Sequence, residues 1–400
     1  MKTGDFAANP TGQGSRVDGI DLLRGLAIFY VLMNHVNIRL LIAHVPYTAG
    51  IPDQFVKSLV WNGQEGVQIF FAISGFLITS ISIRRWASLG RINLRAFYRL
   101  RFARIAPLLL ALLLILSILH YAGFSHYVIP QERSNLPRAI LSALTFHLNW
   151  LEAHHGYLPG NWDVLWSLSI EEMFYLFFPI ACLVFGGKKR FIALLAVFVA
   201  LGPISRTFWT HGNEIWAEKS YLGSMDAIAL GCLTALLVSG IAFSRRALRG
   251  MAVCGAAILI LCLCFEQQIY EWGVGRHGLY MSLLALGTCL MIAASAQTKW
   301  KSPRILTPVL KLGQYSYEIY LTHMFVVFAL FDLFVHLGKR MSMVAPFFLG
   351  AVVFSSILGA IVARTYSEPM NRILRGRTKR PVNIEQSVGS SNIEVVPAPQ

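Results

Sequence analysis

The sequence predicts an all-α fold: a polytopic membrane helical bundle of about ten transmembrane helices plus one short re-entrant or interfacial segment. Two observations predict it. Hydrophobic residues make up 55% of the 400 and charged residues only 14%, against about 25% charged in a soluble domain. A charge in hydrocarbon costs about 2.5–3.5 kcal/mol on insertion scales, so a chain that lives in a bilayer sheds charges. The second observation is the spacing of the apolar runs, since a helix needs about 20 apolar residues to cross. Ten runs qualify: 20–40, 67–83, 105–123, 164–186, 190–208, 223–243, 248–265, 278–296, 314–335 and 345–365. An eleventh run, 138–149, has about 12 residues and is too short to span, so it is expected at the interface or as a re-entrant piece.

The basic residues test this count. With the N-terminus inside and 138–149 not crossing, 24 Lys and Arg fall on inside segments and nine on outside segments. That bias is what the positive-inside rule demands, and it largely collapses if 138–149 crosses. Both termini are therefore expected in the cytoplasm. The organisation is a flexible cytoplasmic N-terminus (1–16), a membrane domain (17–372) and a disordered cytoplasmic tail (373–400), the tail being polar. The net charge of +15 sits between apolar runs, not among base-reading segments, which argues against a nucleic-acid partner. The six cysteines fall in or beside apolar runs and form no Cys-x-x-Cys pair; they read as apolar thiols rather than metal ligands. The first 15 residues are polar and the first apolar run is long enough to span, so no cleavable signal is expected. No internal repeat is visible, which disfavours the common transporter architectures.

Taken in order, the spans carry polar residues that hydrocarbon would not tolerate without a purpose. The first contains Asp21, Arg24 and His35. Eleven residues turn an α-helix to within about 20° of three full turns, so Arg24 and His35 share a face about 16 Å apart along the axis. Arg24 snorkelling and an interhelical hydrogen bond from His35 is one reading; a functional pair is the other. The segment "RRWASLGRINLRAFYRLRFARIAP" (84–107) holds seven arginines and no lysine. It reads as a cytoplasmic loop obeying charge bias, or as a dock for a phosphorylated donor, because guanidinium binds phosphate through two parallel hydrogen bonds. No P-loop or dinucleotide fingerprint accompanies it. The fourth span opens on "DVLWSLSIEEMFYLFFP" (163–179) with adjacent Glu171 and Glu172. Entering from outside, Glu171 is expected at a depth similar to His35, where a carboxylate would orient the histidine as a base toward a hydroxyl. "YSYEIYLTHMF" (315–325) adds Glu318 and His323, and "GVQIFFAISGFLI" (66–78) adds Ser74-Gly75, read as a close helix contact more than a nucleophile.

The Arg24/His35 pair, "GVQIFFAISGFL", "FYRLRFARIAP", "LWSLSIEEMFY", "GSMDAIALG" and "SYEIYLTH" resemble, in this order, the motifs of the acyltransferase-3 family of integral-membrane O-acyltransferases. The resemblance runs from about residue 17 to about residue 372. It implies transfer of an acyl group, often acetyl from acetyl-CoA, to a hydroxyl of a glycan, a lipid-linked sugar or a glycoside. Matched position by position, it implies His35 and Glu171 as catalytic residues and Arg24, Arg101 and Arg104 as donor contacts. Leu100 stands where the family's first paired arginine is expected, and Arg99 is its substitute. Trp166, Ser169, Tyr175 and His323 are assigned to substrate contacts. Acyl-CoA is then a co-substrate, the bilayer and a carbohydrate or glycolipid acceptor are the partners, and the location is the bacterial inner (cell) membrane. Some members carry a C-terminal hydrolase-like domain. This sequence runs only about 35 residues past its last predicted span, so its membrane domain is expected to finish transfer or to hand the acyl group to a separate periplasmic transferase. The rival reading is a proton-coupled transporter or flippase of a surface-glycan precursor, with Arg24, His35, Glu171 and His323 as a relay.

Overall fold

The computed structural model describes residues 17–375 apart from 211, 276, 277 and 299, so the segments 1–16 and 376–400 lie outside the described residues. In chain order the helices are α1 (Asp18–Ile42), α2 (Asp53–Val60), α3 (Gly63–Trp86), α4 (Leu94–Tyr121), α5 (Leu136–Leu144), α6 (Leu148–His155), α7 (Gly160–Asp163), α8 (Leu165–Val184) and α9 (Lys188–Phe208). They continue with α10 (Glu214–Lys219), α11 (Tyr221–Gly240), α12 (Arg245–Cys264), α13 (Glu266–Glu271), α14 (Leu279–Gln297), α15 (Thr307–Gln314), α16 (Ser316–His336), α17 (Val344–Val362) and α18 (Glu368–Arg375). Ten of the described elements are long and apolar enough to cross a membrane. The chain is a multi-pass membrane protein, all-helical over the described residues. The short run 138–149 falls on most of α5 and the start of α6, helices of 9 and 8 residues, both too short to cross.

The arginine segment differs from its expectation as a loop. α3 carries Arg84 and Arg85 in its last turn, and α4 begins at Leu94, where Asn93 Oδ1 accepts the Ala96 N–H at 2.9 Å. Arg95, Arg99, Arg101 and Arg104 therefore stand on the first three turns of a helix. Hydropathy ends an apolar run at the first charges, but arginine is a good helix former and the ladder continues through it. The C-terminus differs in the same direction. Residues 373–375, assigned above to the tail, complete α18, which follows a π-turn at Ala363–Ser367. Tyr366 in that turn donates to the Pro107 carbonyl of α4 at 3.1 Å.

Helices in a bilayer gain no hydrophobic free energy from meeting one another, so close backbone approach at small residues carries their association. α3 shows this on two sides. A Cβ on Gly75 would collide with the Ile228 carbonyl of α11, one on Gly231 of α11 with the Ala72 carbonyl, and one on Gly66 with the Ala27 carbonyl of α1. α1 in turn is pinned to α15, where Gly25 lies against the Val309 carbonyl and Gly313 against the Asp21 carbonyl. α3 is thus locked between α1 and α11 by backbone contacts, and its remaining face is free to line the interior.

Gly75→Val is expected to force α3 from α11 and to lower stability by about 1–3 kcal/mol, the usual cost of overpacking. Gly250→Ala on α12, whose Cβ would meet nothing within 4 Å, is the matched control. Thermal unfolding in detergent micelles compares them, and equal midpoints would contradict the crossing.

Candidate active site

Ionisable side chains of α1, α4, α8 and α16 gather at two depths. The first depth is a cavity of about 350 Å³ enclosed by α1, α3, α4, α8 and α16, with α18 at its mouth. Arg101 and Arg104 are three residues apart on α4, about 60° around the helix, and both face inward. The Arg101 guanidinium lies 4.5 Å from the Tyr175 ring centre and that of Arg104 lies 4.9 Å from the Tyr317 ring centre. Arg104 Nη1 also lies 3.7 Å from the buried Glu318 carboxylate. Arg24 enters from α1, its Nε donating to Ser316 Oγ at 3.1 Å. From α8 come Glu171, Glu172 and Tyr175. Glu171 and Tyr175 are one turn apart and share a face. Glu171 Oε1 accepts from Ser74 Oγ at 2.5 Å and from the Tyr175 hydroxyl, and Ser74 also bonds Tyr175. Glu172 Oε1 is buried with no hydrogen-bond partner among the described residues.

The cavity ends at Ser167 and Tyr320, whose hydroxyls bond each other at 2.6 Å, with Tyr320 also donating to the Val164 carbonyl at 3.1 Å. Beyond this bond is the second depth. His323 lies one turn past Tyr320 on α16, and its ring centre is 5.0 Å from that of His35. Next along α1, Arg39 stacks over Phe328 at 5.3 Å.

This arrangement corrects one expectation. Glu171 is not at the depth of His35, and no hydrogen bond or ion pair joins them. Ser167 is level with Tyr320; Glu171 lies about 6 Å from Ser167 toward the arginines, and His323 lies about 4.5 Å from Tyr320 the other way. Glu171 therefore belongs with Arg24 and the α4 arginines, and His35 with His323. The expectation counted depth from residue 164, whereas the apolar helical stretch begins at Gly160, with the short helix α7 ahead of α8.

Other predicted contacts separate similarly. Arg99 is exposed on α4 and does not line the cavity, because two residues before Arg101 is more than half a turn away. Trp166 is buried edge-on against Phe71 at 6.2 Å, and Ser169 Oγ accepts the Leu148 N–H and donates to the Leu165 carbonyl. Both pack the bundle instead of lining the cavity; Tyr175 does line it. His323 is likewise absent from that lining. Sequence reading missed Arg375, which reaches the cavity mouth from α18. Its signal was the amphipathic "EPMNRILR" directly after the last span. It also missed the partners of Asp226, from "GSMDAIALG". Asp226 is fully buried, ion-paired to Arg206 at 2.7 Å and bonded by Gln68 at 3.3 Å and by Ser282.

The end of the bundle remote from the arginines has its own polar fastening. Lys219 Nζ pairs with Glu152 at 2.9 Å and with Asp163, and lies 4.5 Å from the Tyr157 ring centre. Burial, reinforced by the Asp163 carboxylate, pushes the Glu152 carboxyl well above the usual carboxylate range against the pull of the Lys219 ammonium. This cluster holds α6 and α7 onto α10. Beside it a cavity of about 710 Å³ opens, lined by Trp61, Gln64, Glu65, Gln68, Glu218 and Tyr270 among others.

The acyltransferase-3 family model, described as an acyltransferase domain, matches residues 17–364. The peptidoglycan O-acetyltransferase OatA of Listeria monocytogenes is 28% identical over 334 residues, which cover 77% of this chain and 49% of that protein. The O-acetyltransferase OatA of Staphylococcus aureus is 25% identical over 347 residues, covering 81% of this chain and 53% of that protein. The chain thus spans about half the length of these curated relatives. No solved structure matches it.

Lys219→Ala leaves the fully buried Glu152 and the partly exposed Asp163 without their cation and is expected to cost about 3–5 kcal/mol, the penalty for breaking a buried pair. Denaturant unfolding in micelles measures it. A loss below about 1 kcal/mol, the range of exposed pairs, would show that the cluster is solvated.

Proposed function

Because the chain belongs to the acyltransferase-3 family, we propose that it is an integral-membrane O-acyltransferase that moves acetyl from acetyl-CoA to a hydroxyl of an envelope glycan. The proposed setting is the bacterial cell membrane, with the arginine end cytoplasmic. The supporting observation is the arginine-mouthed cavity. Residues Val67 to Ile81 of α3 bound it, an axial length of about 21 Å, comparable with an extended acyl-pantetheine arm. Phosphates of the donor meet Arg101, Arg104 and Arg375, whose guanidinium forks suit them. The arm runs past Arg24 to Tyr320. Displacement of the Tyr320–Ser167 bond brings the thioester to His35. The acceptor comes from the other end, where the cavity lined by Trp61 and Tyr270 offers aromatic faces and amide and carboxylate acceptors, the chemistry that holds sugars.

In this reading His35 takes the proton of the acceptor hydroxyl as its oxygen attacks the thioester carbonyl. The tetrahedral oxyanion collapses, the C–S bond breaks, and the CoA thiolate leaves with the proton that His35 returns. Arg24 stays charged and cannot be the base; it supplies positive potential along the arm. Glu171, held by Ser74 and Tyr175, shapes the donor channel and keeps the Tyr175 ring under Arg101. Transfer is completed in this domain or by a separate periplasmic transferase.

The test is acceptor-dependent CoA release by protein in nanodiscs, with peptidoglycan fragments as acceptor. Release at the same rate without acceptor would contradict glycan transfer. His35→Ala is expected to lose about 10²- to 10⁴-fold in rate while still binding acetyl-CoA; turnover within threefold of wild type would place the base elsewhere.

Donor binding checks the channel separately. Arg101→Ala or Arg104→Ala should weaken acetyl-CoA binding about 10- to 150-fold, the worth of a charge-assisted hydrogen bond. Arg104→Lys should recover only part, keeping charge without the fork. Glu171→Gln should raise KM for acetyl-CoA more than it lowers kcat. The opposite split would return Glu171 to the proton-transfer step.

A further inference from the structure

We propose that His323 is the positioning residue for His35, through a neutral, tautomer-locked Nε2 that accepts the His35 N–H. The inference rests on the transferase reading above and deepens it by naming what orients the base.

The tautomer follows from the partners. His323 Nδ1 lies 2.8 Å from the Tyr320 carbonyl oxygen and 3.2 Å from that of Ile319. A carbonyl only accepts, so Nδ1 carries the proton and Nε2 of the neutral ring is a bare acceptor. That acceptor is buried and has no hydrogen-bond partner among the described residues, and the residue is 0% exposed. A buried polar atom left unpaired is costly and calls for an explanation. The explanation is beside it. His35 has a ring centre 5.0 Å away, with the ring planes at 46°, a spacing that suits an N–H···N hydrogen bond of about 3 Å after a small rotation of the His35 ring. His35 is partly buried and His323 fully buried, so of the two it is His35 that retains some exposure while His323 backs it.

The consequence for chemistry is direct. Donating one N–H to His323 leaves the lone pair on the other His35 nitrogen, where a general base needs it. Glu171, the residue expected to do this, is engaged at the other depth with Ser74 and Tyr175. The cations near the pair are Arg39, which stacks on Phe328, and Lys219, which is held by Glu152 and Asp163; the nearby carboxylate Asp163 is taken up by Lys219. Neither cation is an acceptor. His323 Nε2 is then the acceptor available to fix the His35 tautomer. The position of His323 one turn beyond Tyr320, at the end of the donor cavity, puts this pair where the thioester emerges.

Two amide substitutions separate this role from a merely structural one. In His323→Gln the amide reaches the place of Nε2 and keeps an acceptor there, while the Nδ1 contact to the helix carbonyls is lost. In His323→Asn the amide mimics the Nδ1 side, keeps the donor to those carbonyls and removes the Nε2 acceptor. Acetyl-CoA, a glycan acceptor and the full chain in nanodiscs are used, with wild type alongside. The expected result is that His323→Gln stays within about tenfold of wild-type kcat. His323→Asn should lose about 10²-fold or more in kcat, the scale of a disabled base, with KM for acetyl-CoA unchanged in both. The reverse order, equal losses, or an effect confined to KM overturns the proposal. If wild type itself shows no acceptor-dependent turnover, the transferase reading has failed. The positioning role is then judged by ¹⁵N-histidine NMR of the wild-type protein, with His35→Ala and His323→Gln used for assignment. That spectrum should show single tautomers at both rings, with an unprotonated Nε2 at His323; fast tautomer exchange at His35 overturns the pairing whatever the variants do.

Discussion

A charged side chain inside a bilayer must face another polar group or a cavity, because hydrocarbon offers it no partner. Much of this protein follows from that constraint. Arg24, Arg101, Arg104, Glu171 and Glu172 all lie within reach of the membrane interior and all line one hollow. Arg206 and Asp226 close on each other, with Asp226 fully buried. Lys219 and its two carboxylates do the same at the opposite end. The hollow exists because α3 is fixed on its other faces by glycine contacts to α1 and α11. Those contacts leave its Val67–Ser74–Ile81 face unpacked by a neighbouring backbone, so side chains and space fill it.

The same constraint explains the division into two depths. The arginines gather near the start of α4 and at Arg375, which in the proposed reading is where an anionic, water-soluble donor would arrive. The histidines sit past Tyr320, where His323 is fully buried and His35 is partly buried. A phosphate site and a proton-handling site have incompatible needs. One wants concentrated positive charge and the other wants neutral acceptors, since a nearby cation opposes protonation of a base. The Tyr320–Ser167 hydrogen bond stands between them, and about 10 Å of axial distance keeps Glu171 out of the histidine pair. Buried polar groups of this kind cost stability unless fully paired. Among the described residues Glu172 Oε1 and His323 Nε2 have no hydrogen-bond partner, one at each depth, as expected of groups kept for a ligand or a reacting neighbour.

The sequence alone determined the all-helical membrane bundle, its ten spans and the shortness of 138–149, because hydropathy and length are local properties and the bilayer sets one threshold for both. It also determined that Arg24 and His35 share a face and that the family motifs occur in order. Tertiary structure decided which of those motifs meet. Glu171 found Ser74, 97 residues away in sequence, rather than His35, since depth depends on where each helix enters the membrane, and a short preceding helix such as α7 shifts that by a full turn. Arg375 joined the cavity because a π-turn and the Tyr366–Pro107 bond swing α18 against α4, neither of which has a periodic signature. His323 met His35 because α1 and α16 run alongside each other, and the helix order that makes them neighbours is written in the packing of all ten spans, not in either segment.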